Sequence, residues 1–360
     1  MDSKTTYGHR EGRNFVLVLV GVIVIGVVVV MLENYLAGTH PPSHQSSSTT
    51  VARPTTTTIP VWSRQFSVGV VSQTIDEPAT TQFSARRQIL TYIRYPVVLQ
   101  AGSGELADAK PDLQDGPYPV VIFSQGFDLA LASYAQLMDV WAEAGFIVVA
   151  PEYPYTDPSY PLGVDRSDLV NHARDLDFVI STVVEDSKSA GSVLYGLVNT
   201  REIAVAGQSD GGDVSVTSAF NTCCQDSAIK AAMILSGAEY ASFGGQYFTG
   251  TPSLPLLVTQ GTQDTINPPE CSVEIYNQAL APKDYLALIG ADHLAPYTQS
   301  GQYLNTTEQV TTDFLKEYLL GDPFAQGQMA VAGNQPGIST LTVNGSVAHV
   351  PGGCPGAPGF

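Results

Sequence analysis

The sequence predicts an α/β protein: a mostly parallel sheet with helices on both faces, preceded by one transmembrane helix. Three observations lead there. Short apolar runs of strand character alternate with helical stretches from residue 87 onward. A G-x-S-x-G pentapeptide follows one of those runs, and an uncharged apolar segment stands near the amino terminus. Alternation of this kind implies parallel strands buried on both faces by the intervening helices.

Phe15 to Leu32 is an uncharged apolar run of 18 residues. At about 1.5 Å per residue it just spans a hydrocarbon core of about 30 Å. Lys4, Arg10 and Arg13 precede it, and the next basic residue is Arg53. That bias places residues 1–14 in the cytoplasm, makes 15–32 a signal-anchor helix, and puts the remainder outside the cell membrane as a single-pass protein. A cleaved signal peptide is the alternative, leading to secretion. Its apolar region is usually shorter, and Leu36-Ala37-Gly38 makes a poor cleavage site. Residues 33–60 are rich in Pro, Ser and Thr and read as an extended stalk.

The folded domain is expected over 61–325, with a hairpin and tail over 326–360. Arg87–Tyr95, Pro119–Phe123, Phe146–Ala150, Ile203–Ala206, Ala231–Leu235, Leu256–Thr259 and Tyr285–Ile289 have strand character. Helices are expected over Tyr134–Ala144, Asp165–Val184 and Thr307–Leu320. The polar stretch Ala101–Gly116 reads as a surface loop. Ser339–Val343 and Ser346–Val350, joined by Asn344-Gly345, read as a hairpin with a type I′ turn. There is no internal repeat.

Composition narrows the function. With 34 acidic against 16 basic residues the net charge is −18, which argues against a nucleic-acid partner. Residues 1–33 are charge-balanced, so the excess lies in the exported part. Cys223, Cys224, Cys271 and Cys354 lack metal-ligand spacing, and an exported chain favours two disulfides. Because vicinal bridges are strained, one of Cys223 and Cys224 is expected to pair with Cys271 and the other with Cys354.

The chemistry centres on Gly207-Gln208-Ser209-Asp210-Gly211, directly after an apolar strand and ahead of a possible helix. Small residues flank the serine because the backbone turns sharply there and lifts the hydroxyl clear of the sheet. A serine hydroxyl needs a base to become a useful nucleophile. His293 follows the last strand of the sheet, whereas His172 lies mid-helix on the wrong side in chain order and His349 falls in the terminal hairpin. Asp264, after an apolar strand and a glycine turn, is the expected orienting acid, with Glu270 and Asp292 as competitors. Backbone N–H groups of Asp210 and Phe127, the latter in the loop after the Pro119–Phe123 strand, are the expected oxyanion donors.

PVVIFSQGF, GFIVVAPEYP, AVAGQSDGG, LLVTQGTQD and ADHLAPY, in that order, resemble the α/β-hydrolase superfamily. The similarity is to platelet-activating-factor acetylhydrolase-like, chlorophyllase-like and polyester-hydrolase-like esterases, over roughly residues 62–325. The resemblance implies a sheet of about eight strands and ester hydrolysis with no metal or organic cofactor. Such proteins often carry His where this chain has Gln125 and Gln208, so those two residues, with Tyr153, are expected to contact substrate. Tyr155, Tyr240, Phe243, Tyr247 and Phe248 are further candidates for an acyl site. The connection Ser236–Pro255 is too short for a helical cap, which leaves the site open. An amidase or peptidase with the same triad is one alternative, and a non-catalytic extracellular binding domain is another. No obligate protein partner is evident; the expected partners are the ester substrate and the membrane.

Overall fold

Alternation along the strands decides which helix packs on which face. The computed structural model describes residues 65–79, 86–102 and 104–356. In strand β4, Tyr118–Ser124, Val120 and Ile122 enter one buried cluster while Val121 and Phe123 enter another. Successive strand side chains point to opposite faces, so a continuous apolar run must be covered twice. Helices α2 (Leu169–Asp186), α3 (Asp210–Phe220) and α4 (Pro269–Gln278) supply the first cover through Leu176, Val214 and Ile275. Helices α1 (Ala135–Glu143), α6 (Gln302–Leu315) and α7 (Ala325–Gly333) supply the second through Trp141, Phe314 and Met329. A one-turn helix α5, Ala295–Thr298, precedes α6.

The strands are β1 Ser67–Glu77, β2 Arg87–Val97, β3 Glu105–Ala107, β4, β5 Ile147–Glu152, β6 Val198–Gln208, β7 Ile229–Leu235, β8 Leu256–Gly261, β9 Lys283–Leu288 and β10 Ser339–Val343. They form one sheet in the order β10-β9-β8-β7-β6-β4-β5-β2-β1-β3. All neighbours from β5 to β9 are parallel, and β2 and β10 join antiparallel. From β4 the chain goes to β5 on one side and then to β6 on the other. Such a reversal opens a crevice at the carboxyl ends of the strands, where ligands of open α/β sheets bind.

Four expectations need correction. The sheet among the described residues has ten strands rather than about eight: the seven strands named above are present, β1 and β3 extend one edge and β10 extends the other. The terminal hairpin does not form. Asn344 takes φ +50° and donates its N–H to the oxygen of Lys283, and its side chain accepts the Lys283 N–H, so it caps β9. A type I′ turn needs positive φ at both central residues, and Gly345 does not have it. Residues 346–350 run instead along α4, where the Asn277 amide bonds both backbone groups of Val347. The third correction is that Ala101–Gly116 contains the short strand β3.

The fourth correction is the cysteine pairing. Cys223 bonds Cys224, and Cys271 bonds Cys354 across a Cα separation of 4.6 Å. The tail that follows β10 is laid over α4, which brings Cys354 to Cys271 and leaves the vicinal pair to itself in the turn after α3.

The expected cytoplasmic tail, transmembrane helix and stalk lie outside the described residues. Among the described residues no helix is long and apolar enough to cross a membrane.

Candidate active site

Ser209 sits where β6 ends and α3 begins, with φ +56° and ψ −125°. A non-glycine residue held there is strained, and the strain persists only where surroundings enforce it. They do so through backbone crowding. A Cβ on Gly207 would stand 2.0 Å from the oxygen of Gly211, and one on Gly211 would stand 2.0 Å from the oxygen of Ser124. Only glycine fits at either place, so the G-x-S-x-G spacing is a steric requirement of the turn. The Ser209 N–H donates to Leu235 and its carbonyl accepts the Asp213 N–H, which ties the turn to β7 and α3.

The loops after β8 and β9 bring an acid and a base together. Nδ1 of His293 lies 2.7 Å from Oδ2 of Asp264, and both residues are buried. The other oxygen of Asp264 accepts the N–H groups of Ile266 and Asn267 at 2.9 and 3.0 Å. Gln260 donates to Oδ2 at 3.0 Å. The competing acids are engaged elsewhere. Asp292 accepts the N–H groups of Leu294 and Ala295, and Glu270 holds His349 and the Val350 N–H.

Ser209, Asp210, His293, Gln208, Gly126 and Phe127 line one cavity of about 310 Å³. Leu129, Ile266 and Leu294 add an apolar rim, with Ile266 57% exposed. The Phe127 N–H is bonded to nothing among the described residues, which leaves it available to a developing oxyanion; Asp210 opens α3, where backbone N–H groups are unsatisfied. Among the described residues no hydrogen bond joins the Ser209 hydroxyl to His293, and the amide of Gln208 stands 3.1 Å from Nε2. Such bonds commonly close only when substrate arrives. A larger cavity of about 440 Å³ lies between Tyr92, Arg94, Glu105 and Glu152 and contains neither Ser209 nor His293.

Two of the expected substrate contacts are not at the cavity. Gln125 is 1% exposed and donates to Leu129 and Asp157. Tyr153 is equally buried, bonds the Ser124 hydroxyl at 3.0 Å and stacks on His172. Both follow strand ends, Gln125 after β4 and Tyr153 after β5, while the cavity is lined in this loop by Gly126, Phe127 and Asp128. None of Tyr155, Tyr240, Phe243, Tyr247 and Phe248 lines the cavity either. His172 lies in a helix as expected and is buried against Asp168 and Thr156.

Arg166 is the contact that sequence reasoning missed. It lines the cavity and grips the Asp210 carboxylate with two bonds of 2.6 Å. Nothing local marks it, because the pairing spans the whole of α2 and β6. Beneath it Asp213 is fully buried, with one oxygen accepting the Ala238 N–H at 2.7 Å and the other unpartnered. Burial, then the neighbouring Asp210, pushes its carboxyl well above the ordinary range. Asp168, His172 and Asp175 form the one metal-like cluster among the described residues. The Arg87 guanidinium already bonds both carboxylates at 2.6–2.9 Å, so a dication there would meet a buried positive charge.

With this geometry in view, comparison with known proteins decides the fold. The chain superposes on a ferulic acid esterase from Streptomyces cinnamoneus with a TM-score of 0.55, at 19% identity, over 73% of this chain and 93% of that one. The fold is that of the α/β-hydrolases. A chlorophyllase family model matches residues 105–236 of this chain, a span that includes Phe127, Ser209 and Asp210 and stops before Asp264 and His293. No curated protein matches the sequence. The superposed structure is that of a protein named as an esterase.

Proposed function

We propose that this α/β-hydrolase is a serine hydrolase of carboxylic esters, with Ser209 as nucleophile, His293 as base and Asp264 as orienting acid. The observation that carries this reading is a strained serine sharing one cavity with a histidine whose far nitrogen lies 2.7 Å from a buried carboxylate. His293 takes the Ser209 proton at Nε2 as the serine oxygen attacks the ester carbonyl. The N–H groups of Phe127 and Asp210 hold the resulting oxyanion. His293 then gives the proton to the departing alcohol, and water, activated by the same base, releases the acid and regenerates Ser209. The apolar rim at Phe127, Leu129, Ile266 and Leu294 favours small acyl or lipid-like esters, including feruloyl esters.

We further propose that the domain lies outside the cytoplasm on an N-terminal anchor. Its two disulfides support that placement, since cytosolic thiols are kept reduced. Protease treatment of intact cells should remove the domain; full protection would count against it.

The test of activity uses the full chain with p-nitrophenyl esters of increasing length, a feruloyl ester and a fluorophosphonate probe, beside Ser209→Ala. Loss of both turnover and labelling in the variant is expected. Wild-type turnover surviving in Ser209→Ala would remove the nucleophile assignment, and a wild-type chain that never labels would mean a binding domain. Faster turnover of matched amides would move the reading to an amidase.

A further inference from the structure

Gln208 stands directly before Ser209 and is 1% exposed. Its amide nitrogen lies 3.1 Å from Nε2 of His293 and donates to the backbone oxygen of the same residue at 3.2 Å. Its amide oxygen accepts the Tyr134 hydroxyl at 2.7 Å, and the Tyr134 oxygen accepts the Gly126 N–H at 3.1 Å. A continuous chain of hydrogen bonds therefore joins the oxyanion loop to the base.

The direction of every bond in that chain follows from one end. A backbone N–H can only donate, so Tyr134 accepts from Gly126 and passes its own proton onward. Burial pushes the Tyr134 hydroxyl up and keeps that proton in place. Gln208 must then turn its oxygen to Tyr134 and its NH2 group to His293. Facing a donor, Nε2 of His293 must be the unprotonated nitrogen. The ring proton consequently sits on Nδ1, 2.7 Å from Asp264, which is the tautomer a general base requires. The loop is shaped to admit this chain: a Cβ on Gly126 would stand 2.6 Å from Oε1 of Gln208 and 3.1 Å from the Tyr134 hydroxyl.

From this geometry we infer that Gln208 is a positioning residue: anchored through Tyr134 to Gly126, it sets the tautomer and orientation of His293 and occupies Nε2 until Ser209 replaces it. The lone pair on Nε2 serves one donor at a time. In the empty site that donor is Gln208, and substrate binding must exchange it for the serine hydroxyl. In its kinetic part this inference rests on the ester-hydrolase reading; the tautomer it assigns does not.

The experiment uses the full chain, with Gln208→Met, Tyr134→Phe and the double variant, each checked by thermal unfolding. Gln208→Met keeps the length and removes both hydrogen-bonding groups. Its kcat should fall about 10- to 100-fold with KM changed less than about threefold. Tyr134→Phe should show the same split at smaller size, and the double variant should be no slower than Gln208→Met, since both act on one chain. Histidine 15N spectra, with His293 assigned by substitution, should show Nδ1–H in the wild type and a loss of that pure tautomer in Gln208→Met. Unchanged kcat, multiplying losses in the double variant, or an unaltered His293 spectrum would each overturn the role. Should Gln208→Met fail to fold, the isosteric Gln208→Glu exchanges only the NH2 group for oxygen and must show the larger kcat loss. A wild type without esterase activity would sink the ester reading, and the spectra alone would then decide the positioning role.

Discussion

Asp264 and Asp284 are buried to nearly the same degree, 4% and 1% exposed, yet their surroundings are opposite. Asp264 follows the carboxyl end of β8 and receives Ile266, Asn267, Gln260 and His293 on its two oxygens. Asp284 is the second residue of β9, at the other rim of the parallel sheet, and neither of its oxygens has a partner. Burial, then Glu317, pushes its carboxyl up to about 7. Donors compensate a buried carboxylate for the water it has lost, whereas an orphaned one is pushed toward its neutral form.

The sharpest way to break the contrast is Asp264→Asn. The amide oxygen can still accept Ile266 and Asn267, but an NH2 group now faces Nδ1 of His293 and leaves its ring proton without an acceptor. We expect kcat to fall on the order of 10⁴-fold with a nearly unchanged melting temperature; a loss under tenfold would remove Asp264 from the mechanism. Next in size is Gly211→Ala, whose methyl would enter the Ser124 carbonyl. It should cost about 3 kcal/mol or more, read by denaturant unfolding, and a stable, active variant would show that the turn is not sterically forced.

Asp284→Asn should act in the other direction, stabilising the fold. The wild-type carboxyl is raised to about 7 in the folded state, so its stability is fully present below about 4 and lost as pH rises toward 7. The variant should therefore gain on the order of 2 kcal/mol at pH 8 and almost nothing at pH 4. Glu308, also raised to about 7 by burial, should leave part of the same slope in the wild-type curve. A flat gain across pH would mean that Asp284 carries no such penalty.

The smallest effect is expected at the tail clamp. His349 is raised by its bond to Glu270, while Glu270, despite burial, is lowered by His349 and the Val350 N–H. The clamp is strongest between those two titrations and is lost as pH rises through that of His349. His349→Gln should lower the melting temperature by only about 1 °C, and only on the acidic side. An equal change at pH 9 would show that packing, not charge, holds the tail.

Legibility in the sequence followed range. Ser209 could be read because the demands on Gly207 and Gly211 are local and steric. Asp264 and His293 could be proposed because each follows an apolar strand, and strand ends gather at one rim of a parallel sheet. Gln125 and Tyr153 are buried away from the cavity, since a motif position does not reveal which way a side chain turns. Arg166 and Tyr134 carried no local mark, and the terminal strand β10 was taken for half of a hairpin because Asn344-Gly345 suits a turn equally well.

By itself, then, the sequence determined the two-sided apolar strands, the strained serine turn, and an overall charge that disfavours nucleic acid. Each follows from backbone sterics, alternation or composition within a short stretch of chain. Only the tertiary structure decided which distant groups meet: Cys271 with Cys354, Arg166 with Asp210, and Gly126 through Tyr134 and Gln208 with His293. A hydrogen bond depends on angstroms and direction between residues far apart in sequence, and those are set when the layers pack.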